Sequence, residues 1–185
     1  MRFAYYARLS RRDQAIYRKS DEVTSIPLPD AAAATAAVER LAAALARDDA
    51  PGVAVAAAEI AGRLSRQLGA PAPVVEVLAV RPSRDWGELH GLYTQEPDEA
   101  ARIRVWMRTA RRADVVAFRT FLRTLLHELC HHLDFEVLGL DRSFHTEGFF
   151  RRESSLVRQL APAARRPAQR ALPLPPGGPP RGRRG

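Results

Sequence analysis

Residues 127–131 read His127-Glu128-Leu129-Cys130-His131, an intact HExxH. Two helical residues four apart stand one turn above each other, about 6 Å along the axis, so His127 and His131 can converge on one metal ion. Glu128 is about 100° further round the helix, which sets its carboxylate beside such an ion rather than on it. From there it can hold a water molecule and take its proton. A Zn²⁺ ion with three protein ligands and an open fourth position lowers that water's pKa to roughly 7. The same residues on a polar helix face would be ordinary surface. Here they sit inside FLRTLLHELCHHLDFEVL, an apolar stretch where two histidines and a glutamate are costly without a metal or partners.

A third protein ligand has to come from elsewhere. His145, fourteen residues after His131, is the strongest candidate by type and placement. Glu147, Glu153 and Asp134 compete with it. Glu153 suits zinc enzymes that draw a glutamate from the following helix. Asp134, one turn beyond His131, suits an acceptor that orients an imidazole. Cys130 reads as a small core residue. His132 points about 100° away from His131 and reads as a hydrogen-bonded histidine. His90 reads as structural or facing a substrate.

The elements that must position these groups follow from periodicity and breakers. A short helix is expected around Ser10–Lys19. Asp30 caps an alanine-rich helix to about Arg47, Asp48-Asp49-Ala50-Pro51-Gly52 breaks it, and a second helix covers about Val53–Leu68. A turn this short makes the two an antiparallel hairpin. Val74–Val80 is rich in β-branched residues and reads as a strand, with a second near Glu88–Thr94. Arg102–Arg108 (RIRVWMR) alternates cleanly, Ile103, Val105 and Met107 to one side and Arg102, Arg104, Trp106 and Arg108 to the other. Three roles are open to it: an amphipathic strand against the metal helix, a strand whose edge pairs with substrate backbone, or an RNA-binding strand with Trp106 stacking. Asp114 should cap the metal helix, about Val115–Leu138, which Gly139 closes. A last helix is expected from about Thr146 to Leu160.

A strand hairpin, then HELCH on a helix, then a loop and His145-Thr146-Glu147-Gly148-Phe149 resembles the SprT-like zinc metallopeptidases over roughly residues 74–160. That family places a histidine at variable distance after HExxH, with an aromatic residue four positions on, here His145 and Phe149. Thr146 stands where the family usually has a glycine. The family's zinc-binding cysteine module has no counterpart, because Cys130 is the one cysteine. The resemblance implies a compact zincin core and peptide hydrolysis, with no particular substrate. No oxyanion partner carries over; Tyr93 and the arginines around Arg102–Arg112 are candidates.

Charge narrows the partners. The chain carries 29 Lys+Arg and 21 Asp+Glu, net +8, yet six of the arginines lie in residues 161–185, where there is no acid. That leaves 23 basic and 21 acidic groups in the first 160 residues. The tail also holds seven prolines and four glycines, so it should be disordered. Its arginines could attract nucleic acid in a salt-sensitive way, or serve only as a solubilising tail. Its prolines could dock an aromatic groove. No apolar run is long enough for a membrane helix, no secretory signal is evident, and a single cysteine fits a reducing cytoplasm.

The expected fold is α+β and zincin-like: a small antiparallel sheet packed on a metal-binding helix, with an N-terminal helical hairpin. Residues 1–29 form a partly ordered N-terminal segment and 30–160 the metallopeptidase domain, with the hairpin at 30–68 and the sheet and catalytic helices at 74–160. Residues 161–185 are the tail. The expected function is hydrolysis of a protein or peptide substrate by a zinc-activated water, with Glu128 as general base and His127, His131 and His145 as ligands. The alternative is a metal-binding regulatory or nucleic-acid-associated protein of the same fold with little or no turnover. An intact Glu128 and a near-neutral body weigh against it.

Overall fold

The computed structural model describes residues 3–85 and 87–161. The chain starts with a 3-10 turn, Ala4–Arg8, and helix α1, Arg11–Glu22, which Ser10 caps by accepting from the Asp13 amide. Alanine then sets the geometry. Helices α2 (Thr35–Ala46) and α3 (Ala50–Gln67) pack on each other as the expected hairpin. Ala37, Ala44, Ala56, Ala57 and Ala61 let the backbones approach, and Leu41, Val53, Ile60 and Leu64 fill the seam. Asp49 caps α3 by accepting from the Gly52 amide at 3.0 Å. Asp30 does not cap α2: it accepts from the Ala33 amide at 3.0 Å beside a 3-10 turn, Ala32–Ala34, and α2 proper begins only at Thr35.

The strands are β1 (Val74–Val80), β2 (Ser83–Arg84), β3 (Gly87–Glu88), β4 (Gly91–Thr94) and β5 (Arg102–Arg108). The main sheet runs β1-β5-β4, with β5 parallel to β1 and antiparallel to β4. This corrects the expected antiparallel sheet to a mixed one. The β4–β5 hairpin forms as expected around the polar turn 95–100. Residues 81–90, which include the small β2–β3 hairpin, carry the chain past the place β5 will take. β5 then enters between its neighbours in the direction of β1. Because both its edges are taken, β5 has none left for a substrate strand; the outer strands of the sheet are β1 and β4, and β4 is the one that lies against Glu128.

Ile103, Val105 and Met107 of β5 are buried as the alternation requires. They face helix α4 (Phe118–Glu136), whose Leu122, Leu125, Leu126, Leu129 and Leu133 join one continuous apolar core with α2, α3 and helix α5 (Glu147–Leu160). Asp114 does not cap α4. Val115 and Val116, both β-branched, stay outside the helix: Val115 pairs with Arg108 as an antiparallel bridge, the Val116 amide donates to Met107 O at 2.8 Å and Asp114 O accepts from the Thr109 amide at 2.9 Å, and the helix starts three residues later than expected. At its other end Gly139, at φ +56°, reverses the chain, with the Leu138 amide closing on Leu133 O at 3.0 Å. Among the described residues no helix is long and apolar enough to cross a membrane. Residues 162–185, and with them the expected disorder and all six tail arginines, lie outside the described residues.

Candidate metal centre

One turn of α4 separates His127 from His131, and the reversal at Gly139 returns His145 to them just before Thr146 caps α5. The His145 Nε2 lies 3.0 Å from His127 Nε2 and 3.1 Å from His131 Nε2. Tetrahedral nitrogens about 2.0–2.1 Å from one ion would be about 3.3 Å apart, so the three could hold a single metal. The Phe149 ring lies under all three, its centroid 4.9, 4.7 and 5.0 Å from those of His127, His131 and His145.

The groups behind the imidazoles test whether a cation fits. His127 Nδ1 is 2.9 Å from Glu153 Oε2, an acceptor, so the ring proton sits on Nδ1. His131 Nδ1 is 2.7 Å from Ser143 Oγ, which donates its own proton to Asp134 Oδ2 at 2.7 Å and therefore accepts from the imidazole. Both Nε2 atoms are then bare lone pairs aimed at one point. That arrangement is repulsive unless a cation, or a proton on His145 Nε2, lies between them. Burial, with His127 and His145 alongside, pushes His131 down to about 3, and burial followed by His127 also lowers His145. Both rings therefore stay neutral, the form in which imidazole ligates. The donor set suits zinc and equally other first-row ions that favour imidazole.

Glu128 is 6% exposed and lies against the start of β4. A Cβ on Gly91 would come within 2.3 Å of its Oε1, so only a glycine leaves the carboxylate its place. Burial pushes this carboxyl up to about 7, against the pull of His127 and the Tyr93 amide. A cleft of about 560 Å³ opens beside it, lined by residues that include Leu89, His90, Gly91, Thr124, His127 and Phe150.

No family model, no curated protein and no solved structure matches this chain.

The other expected residues fall into place around this geometry. Glu153 does not join the imidazole cluster; it sits behind His127, with Arg123 2.9 Å from its other oxygen. Asp134 reaches His131 only through Ser143. Glu147 pairs with Arg151 on its own helix. Cys130 is wholly buried and its thiol is pushed up by burial, as a core cysteine should be. His132 is wholly buried and hydrogen-bonded, Nε2 to Pro71 O at 2.8 Å and Nδ1 to Tyr93 Oη at 3.3 Å. That contact, and a 2.8 Å bond to Gln95, take the Tyr93 hydroxyl away from the three Nε2 atoms. Arg102 and Arg104 are held by Glu76, and Arg108 by Asp48.

Sequence reasoning did not single out Ser143, Gly91 or Arg152. Ser143 and Gly91 carry no local signal. Arg152 does: it follows Phe149 by three and precedes Leu156 by four, a charge on the apolar stripe of α5.

Proposed function

We propose that this protein is a zinc-dependent peptidase of the kind the SprT-like resemblance implies, with His127, His131 and His145 holding the metal. The observation that carries the reading is the convergence of three imidazoles, His145 Nε2 lying 3.0 and 3.1 Å from the bare Nε2 atoms of His127 and His131, with the buried Glu128 carboxylate one residue along the same helix. Zinc bound there would supply an acidified water and polarise a scissile carbonyl. Glu128 takes a proton at its carboxylate and passes it to the leaving amine; desolvation makes it a stronger base than an exposed glutamate. The outer edge of β4 borders no other strand among the described residues, and an extended peptide fits there by strand addition. The adjoining cleft receives one of the peptide's side chains.

The reading in which the protein meets nucleic acid through β5 is weakened by the ion pairs that Glu76 and Asp48 make with its arginines. The deciding experiment measures zinc by elemental analysis and cleavage of casein and of a short unstructured peptide on one preparation. About one zinc per chain and cleavage that a chelator abolishes are expected. Absence of stoichiometric metal after gentle purification would sink the proposal. His145→Ala should strip the metal, whereas Glu153→Ala should only weaken it, by about 10–100-fold, since it removes an acceptor behind a ligand. The reverse result would exchange their roles.

A further inference from the structure

Arg152 is the largest of the fully buried side chains, with no exposed surface, and the chemistry proposed above makes no use of it. A buried guanidinium is costly unless its charge is paired and most of its donors are met; both terminal nitrogens of Arg152 are, while its Nε has no partner. Here one nitrogen donates to Ser20 O at 2.6 Å and to Val23 O at 2.5 Å. Another donates to Ser20 Oγ at 3.0 Å and to Asp134 Oδ1 at 2.8 Å. Asp134 is equally buried, and its second oxygen accepts from Ser143, which accepts from His131. Burial pushes the Asp134 carboxyl up, and the Arg152 charge holds it back. The chain of bonds therefore has one direction: Arg152 fixes Asp134, Asp134 takes the hydroxyl proton of Ser143, and Ser143 must accept the Nδ1 proton of His131.

We propose that Arg152 is a positioning residue of the metal centre, which through Asp134 and Ser143 locks His131 in the tautomer and orientation that aim its Nε2 at the metal. This rests on the metal-binding reading above. It also makes the end of α1 part of the site, because Ser20 and the Val23 carbonyl hold the other side of the same guanidinium. A purely structural Arg152, pinning α1 to α5, would account for the bonds to residues 20 and 23. It would not require the link through Ser143, which is where the two views separate.

The test is a double-mutant cycle on the full chain, read as zinc affinity by competition with a chromophoric chelator well below the melting temperature. Ser143→Ala should weaken zinc about 10–100-fold with little change in the melting of the metal-free protein, and Ser143→Thr, which keeps the hydroxyl, should recover most of that loss. Arg152→Lys keeps a charge but loses the fork and should also weaken zinc. The double variant should bind no more weakly than the weaker single one, because both changes break one chain. If Arg152→Lys does not fold, Asp134→Asn takes its place in the cycle. Zinc affinity of Ser143→Ala within about twofold of the parent, or losses that multiply in the double variant, would overturn the proposal. Parent protein that binds no zinc would instead remove the metal-binding reading beneath it.

Discussion

On α2 and α3 the buried side chains are Ala, Val, Leu and Ile, with Ser65 the one polar exception. On α4 and α5 the buried set includes Glu128, His132, Asp134, Arg152 and Glu153. Both pairs of helices feed one core, but they ask different things of their residues. In the hairpin a side chain is judged by volume, and any change is felt as stability. At the metal end each polar group is tolerated because a particular partner meets it, so a change there is felt first as lost geometry. Stability and chemistry should therefore be separable by mutation.

The largest expected effect is at Glu128. Glu128→Gln should keep zinc and fold while turnover falls by about 10²–10⁴-fold, since an amide cannot take the proton. Its stability should move the other way. The folded carboxyl is pushed above the ordinary 4.5 to about 7 by burial, so its favourable contribution holds below 4.5 and is lost as pH rises through about 7. Melting of metal-free protein should show the variant's advantage over the parent larger at about pH 8 than at about pH 5. An advantage that does not change with pH would mean the carboxyl is not desolvated.

Leu41→Ala is the counterpart in the hairpin. It leaves a cavity at a wholly buried site and should cost about 2–5 kcal/mol in denaturant unfolding. Zinc affinity of the folded fraction should be unchanged. A matching loss of affinity would show that the two regions are not independent. Gly91→Ala should act only at the metal end. The new methyl would displace the Glu128 carboxylate and lower turnover by up to about 10²-fold with zinc retained, as steady-state kinetics and metal content would show. The smallest effect is expected from Arg104→Ala, which breaks a half-exposed ion pair with Glu76. It should change stability by less than about 1 kcal/mol and leave zinc binding and cleavage alone. A marked fall in cleavage would bring the outer face of β5 back into the functional surface.

Residues close together in sequence made the metal helix and the β5 alternation legible in advance. Each is a relation over one to four positions, set by helical or strand periodicity. His127, Glu128 and His131 share a helix, so their arrangement follows from the 3.6-residue turn alone. His145 could be named because a tetrahedral site needs a third ligand and few candidates were at hand. What only the tertiary structure decided are relations between distant residues. The parallel pairing of β1 with β5 depends on the route taken by residues 81–90, and it puts β5 in the centre of the sheet with β1 and β4 at its edges. Val115 and Val116 were drawn out of the expected helix by the bridge to Arg108 and the Val116 bond to Met107. Gly91 lies against Glu128 from 37 positions away, and Arg152 joins Ser20, 132 positions back, to Asp134. Such contacts are settled by which surfaces the core brings together, a property of the whole chain that no local spacing encodes.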